Sequence, residues 1–216
     1  MKKTLVLCAT LLFAGAANAT VTLYTDPATH TIKSDKDNVL SYTLAPQTGG
    51  LIVDYTFSYT GTLQNNAFLG LWFGTSTGPS FGLKANCGDG SCASDLFDRM
   101  SGTNGGLVNG PNLVAGTDYH LMGYLQKTGN SATYNNLSLW LNPTAAEMVS
   151  LTGADFSASG ASISSVSSIG FRSASVAGLT LTVSDVNIST VPEPTTLSLM
   201  GLAAAGLGFL RRRKNG

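Results

Sequence analysis

The chain has 216 residues, with 12 Lys and Arg against 12 Asp and Glu and a formal net charge of zero. That neutrality is an average, because Lys2, Lys3 and Arg211 to Lys214 sit at the ends. Residues 20–190 keep six basic side chains (Lys33, Lys36, Lys84, Arg99, Lys127 and Arg172) against ten Asp and Glu147. A mildly acidic stretch of this size excludes a nucleic-acid binder and holds one domain with a sizeable core.

The first nineteen residues run from Met1-Lys2-Lys3 through an apolar stretch, Thr4 to Ala16, to Ala17-Asn18-Ala19. A positive start, a short apolar run and a small-x-small end are the parts of a secretory signal, with cleavage after Ala19 and Thr20 as the new N-terminus. The apolar run is short for a retained membrane anchor. Cys8 lies too early in it to be a lipid-modified cysteine at the cleavage end, and leaves with the signal.

Strand patterning follows. In Leu51-Ile52-Val53-Asp54-Tyr55-Thr56-Phe57-Ser58-Tyr59 the odd positions are apolar and the even ones mostly polar, the alternation of a sheet buried on one face. Val39–Leu44, Ala67–Phe73, Phe81–Ala85, Tyr119–Leu125, Leu137–Leu141, Ser167–Arg172 and Leu179–Ile188 are further strands. In the last, the apolar phase moves from Leu179, Leu181 and Val183 to Val186 and Ile188, which predicts a bulge near Ser184-Asp185 or a changed environment. Asn142 to Met148 is the one helical stretch, with capping-box spacing between Thr144 and Glu147 and an end before Gly153. Many short strands and almost no helix give an all-β antiparallel β-sandwich or barrel.

Several residues between the strands bear on chemistry. Cys87 and Cys92 flank four turn-forming residues, and an exported even pair favours a disulfide over a metal site that lacks further thiols. Asp89 and nearby carbonyls leave room for Ca2+, although no EF-hand loop is present. Two His residues, His30 and His120, are too few for a His-built zinc site. Gly78-Pro79-Ser80-Phe81-Gly82 has the spacing of a nucleophile elbow, followed by Asp118 and His120, but no helix follows the serine as an elbow requires. Asp pairs could serve a glycosidase in principle and Asp95 with Asp98 is one possible pair, with turn and surface roles as the better reading. Trp72 and Trp140 are candidate glycan contacts. Trp140 lies opposite the apolar face of its strand, which exposes it unless both sheet faces are covered.

Gly116-Thr117-Asp118-Tyr119-His120-Leu121, then Asn136-Leu137-Ser138-Leu139-Trp140-Leu141-Asn142-Pro143 and the closing strand Leu179 to Ile188, resemble the concanavalin A-like (laminin-G/pentraxin-type) sandwiches. The resemblance implies a jelly-roll. The glucanases of that superfamily carry Glu-x-Asp-x-x-Glu on a strand, and nothing here matches it, since Glu147 is the only glutamate between the two targeting segments.

At the C-terminus, Val191-Pro192-Glu193-Pro194 precedes Thr195 to Leu210, an uncharged run of about 24 Å as a helix, and then Arg211-Arg212-Arg213-Lys214. No polar face interrupts the run, so it is expected to be a transmembrane helix with its basic end in the cytoplasm. The three parts in this order resemble the PEP-CTERM proteins of Gram-negative bacteria. The resemblance implies recognition by a membrane-embedded exosortase, transient anchoring in the inner membrane, removal of the tail, and delivery to the cell surface or an exopolysaccharide biofilm matrix. The expected organisation is a signal peptide (1–19), a β-sandwich (20–190) and a sorting tail (191–216). The expected function is a non-catalytic, exopolysaccharide-associated surface or matrix protein. A lectin-like carbohydrate-binding module is the alternative, and a hydrolase with an unconventional site ranks last.

Overall fold

The computed structural model describes residues 20–85, 96–102, 107–108 and 112–191. Among them, thirteen strands form: β1 (Val21–Asp26), β2 (His30–Ile32), β3 (Lys36–Gln47), β4 (Gly50–Thr60), β5 (Phe68–Phe73), β6 (Ser80–Lys84), β7 (Leu96–Arg99), β8 (Leu107–Val108), β9 (Tyr119–Gln126), β10 (Asn136–Leu141), β11 (Phe156–Ser159), β12 (Val166–Ala174) and β13 (Thr180–Val191). One helix, α1 (Ala145–Ser150), follows β10.

The strands pair antiparallel in two sheets. A seven-stranded sheet runs β1-β13-β4-β9-β10-β11, with β2 also on β13, and a six-stranded sheet runs β3-β12-β5-β6-β7-β8. Alternation fills the space between them. Leu51, Val53, Tyr55 and Phe57 of β4 meet a core that includes Leu69, Leu71, Phe73, Phe81 and Phe171 from the other sheet. The Tyr55 ring spans the gap, edge-on to Phe171 at 4.9 Å and 5.7 Å from Phe81. Each such side chain contributes about 1.5–3 kcal/mol when taken out of water.

The expected bulge is present. The pairing of β13 with β4 slips between Ser184 and Asn187, and Asp185 takes a left-handed φ of 54°. The extra residue returns Val186 and Ile188 to the core face that Leu181 and Val183 occupy before it. The helix is also as expected. Thr144 caps it, accepting from the Glu147 amide while the Glu147 side chain accepts from the Thr144 amide, and Leu151 closes it in the left-handed region.

Three differences matter. β1, β2, β7, β8 and β11 lie outside the expected strands, because they are short or carry no clean alternation. The outer face of the seven-stranded sheet is not wet where β4, β9 and β10 adjoin. There Ile52, Met122 and Trp140 form a second small core, packed by Tyr124 and by Met148 and Leu151 around α1. And β5 is buried on both faces along its whole length. Among the described residues no helix is long and apolar enough to cross a membrane. The signal segment and the expected helix at 195–210 lie outside them.

Candidate functional site

The outer face of the six-stranded sheet is built from cross-strand rows. One row runs Gly170, Trp72, Ser80, Arg99, and the next runs Arg172, Gly70, Gly82, Phe97. A third places Ala174, Phe68 and Lys84 side by side. The glycines are spaces for rings. A Cβ on Gly70 would stand 2.5 Å from Phe68 Cζ and 2.8 Å from Phe97 Cζ, and one on Gly170 would run into the Trp72 indole. Phe68, Phe97 and Trp72 pack into these spaces against the sheet and are buried.

Cations stand over this aromatic floor. The Phe68 and Phe97 rings stack at 4.8 Å between centroids, and the Arg99 guanidinium carbon lies 5.3 Å and 5.0 Å from them. The Arg172 guanidinium reaches the same Phe68 ring at 5.8 Å. Arg99 is held in place by Nε donating to Ser80 Oγ at 2.8 Å and Nη1 donating to the Gly102 carbonyl at 3.3 Å. Burial, and then the neighbouring Arg172 charge, pull Arg99 below the usual guanidinium value. Arg172 Nε lies 2.8 Å from Asp37 Oδ1 but off the line of its N–H, so the pair makes no aligned hydrogen bond. Asp37 is 78% exposed, so water screens most of that attraction.

The result is a groove of about 190 Å³ lined by Phe68, Lys84, Arg99 and Arg172, with Asn66 and Ser175 among its other lining residues. Three of the domain's six basic residues line it, and among the described residues no Asp or Glu does. Asn66 and Ser175 both hold left-handed φ angles, of 63° and 53°, a conformation that costs free energy and clusters at ligand sites.

The other expected site residues are scattered. Trp140 is 1% exposed beneath the α1 region, with Nε1 donating to the Thr152 carbonyl at 3.2 Å, and Trp72 is 6% exposed. Neither offers a free ring face to a sugar. Ser80 bonds Arg99 on the outer face of the six-stranded sheet, whereas His120 points from the opposite sheet and lies 3.2 Å from Asp54 Oδ1. The elbow serine and this histidine thus face away from each other across the whole sandwich, and Asp118 lies exposed outside β9. Asp98 points inward from β7, 4% exposed, and burial pushes its carboxyl up to about 6, partly offset by its own backbone N–H. Asp95, Asp89, Cys87 and Cys92 lie outside the described residues, as do Ala17, Ala19, Pro192, Glu193, Pro194, Arg211, Arg212 and Arg213. Thr20 is exposed, and Val191 ends β13 opposite Gly50. Among the described residues no three His, Cys, Asp or Glu side chains gather as a metal site would require.

One polar cluster was not foreseen. His30 Nε2 lies 2.9 Å from Asp26 Oδ2, the Tyr42 hydroxyl donates to the same oxygen at 3.1 Å, and the Ala28 amide donates to Oδ1 at 3.0 Å. Burial works to raise Asp26, but these bonds outweigh it and its pKa is lowered. The cluster fastens β1 and β2 of one sheet to β3 of the other.

Comparison with known proteins places residues 190–214 in the PEP-CTERM protein-sorting motif. That motif assigns the protein to export and exosortase processing, with a destination at or beyond the cell surface. No curated protein matches the chain. Among solved structures, a functionally unknown protein from Saccharomyces cerevisiae is 11% identical, covering 82% of this chain and 95% of its own, with a TM-score of 0.49. Alginate lyase Aly36B is 12% identical over 78% of this chain and 79% of its own, at a TM-score of 0.48. The carbohydrate recognition domain of Emp47p is 10% identical over 78% of this chain and 96% of its own, also at 0.48.

Proposed function

We propose that this is a non-catalytic surface or extracellular-matrix protein of the concanavalin A-like type, which holds exopolysaccharide on the outer face of its six-stranded sheet. The observation that carries this reading is the groove over Phe68 and Phe97, where polar and charged groups on a rigid sheet surround a flat apolar floor. Sugar rings present the matching surface, with apolar faces and hydroxyl edges. Its volume is below the ~300–1,000 Å³ that encloses a drug-sized molecule, and suits one unit of a polymer lying across the sheet. The sorting motif supports this reading, since it directs the domain to or beyond the cell surface, where secreted polymers would be met. The separation of Ser80 from His120 supports a binding role over ester hydrolysis.

Retention of the full-length protein on immobilised polysaccharides tests the binding role, and no retention on any polymer would contradict it. Deleting residues 191–216 tests the sorting role. The truncated form is expected to change its cell fraction and lose the processed mass, and identical behaviour of both forms would contradict exosortase delivery.

A further inference from the structure

We infer that the groove is a carboxylate receptor, and that the polymer it holds is an acidic polysaccharide whose sugars carry carboxyl groups. The inference rests on the polysaccharide-holding reading and names the chemistry of its ligand. Arg99 and Arg172 approach one Phe68 ring from β7 and β12, and Lys84 stands beside that ring on β6. Like charges brought together on an apolar floor repel, and folding tolerates them here because ring faces lie under both guanidinium groups and fixed acceptors hold that of Arg99. Among the described residues the one carboxylate that meets them, Asp37, is exposed and misaligned, so the buried Arg172 Nε–H makes no hydrogen bond. A planar carboxylate in the groove would take up that donor and relieve the repulsion between the cations at once.

Charge segregation selects the ligand further. The domain is acidic overall, yet the described residues of the groove lining include Lys84, Arg99 and Arg172 and no acidic side chain. A densely charged polyphosphate such as DNA would meet repulsion from the rest of the surface, whereas one carboxylate per sugar engages the groove alone. Asn66 and Ser175 also line the groove, and their amide and hydroxyl are groups of the kind that bond sugar hydroxyls.

The test is binding of the full-length protein to a soluble polyuronate, to the same polymer after reduction of its carboxyls, and to double-stranded DNA. The expected result is saturable binding of the polyuronate that weakens with salt, with little binding of the other two. Arg99→Gln or Arg172→Gln is expected to raise Kd about tenfold or more, the loss of one charge-assisted contact. Because Arg99 packs on the floor, Lys84→Gln serves as the second variant, with about a threefold or larger loss expected and an unchanged melting temperature. Equal binding of native and carboxyl-reduced polymer, unaffected by these variants, would overturn the carboxylate assignment while leaving the polysaccharide reading intact. DNA bound as tightly as polyuronate would overturn it in favour of unselective anion binding. No binding of either polysaccharide would overturn both readings.

Discussion

On the seven-stranded sheet, the outward side chains Ile52, Met122 and Trp140 are large, and the residues around a capped helix cover them. On the six-stranded sheet, outward glycines alternate with aromatics, and the rings lie on the sheet itself. Both arrangements keep apolar surface from water. The first consumes its face in doing so, whereas the second leaves Lys84, Arg99 and Arg172 around an open groove. Two tryptophans that are 1% and 6% exposed thus carry different meanings, one lying under a closed layer and the other in the face proposed to hold a ligand.

The comparison can be broken by mutation. Trp140→Ala should cost about 3–5 kcal/mol in denaturant unfolding, as large core truncations do, with polymer binding per folded molecule unchanged. Lost binding in a folded Trp140→Ala protein would move the site to the other face. Gly170→Ala should cost about 1–3 kcal/mol, because its methyl would meet the Trp72 indole and lie 2.6 Å from the Leu40 carbonyl oxygen. In contrast to Trp140→Ala, it should also weaken polymer binding, since the displaced indole sits in the row that fixes Arg99.

Smaller effects sharpen the picture. Thr144→Ala removes the helix cap and should cost about 1 kcal/mol, loosening the cover over Trp140 and raising hydrogen exchange there first. Asp98→Asn acts beneath the floor of the groove. Burial raises its carboxyl to about 6 from the ordinary 3.8, so the folded state binds the proton more tightly than the unfolded chain. Stability from this group is then greatest below about pH 4 and is lost as pH rises through 6. The asparagine variant should accordingly melt roughly 2–4 °C higher at pH 8, with the gain vanishing near pH 4. A gain independent of pH would show that the carboxyl is not the cause.

Much of the architecture was legible because burial on one face leaves a period of two. β4, β9 and β10 announce themselves through Leu51 to Tyr59, Leu121 to Leu125 and Leu137 to Leu141, and the phase slip at Ser184-Asp185 marked its own bulge. The proposed binding face was not legible, for a physical reason. In Phe68-Leu69-Gly70-Leu71-Trp72-Phe73 both phases are apolar, so periodicity reads a doubly buried strand and gives no sign that one face is a floor. Glycine in a strand can mark a close approach, but which ring approaches depends on Phe97 and Arg99 from β7, a strand too short to read. Arg99 and Arg172 are 73 positions apart in sequence and meet only through the order β12-β5-β6-β7. Whether Trp140 is exposed or covered turned on the outer sheet face, and the residues around a six-residue helix fold back over it, the simpler of the two readings open from the sequence.

The chain's two tryptophans allow one decisive observation, because each indole N–H gives its own signal in a nitrogen–proton correlation spectrum and they report opposite faces. On titration with a soluble polysaccharide that the protein retains, the Trp72 signal should move or broaden while the Trp140 signal, bonded to the Thr152 carbonyl, stays fixed. Movement of Trp140 with Trp72 unchanged would contradict the assignment of the six-stranded sheet as the polymer-facing side.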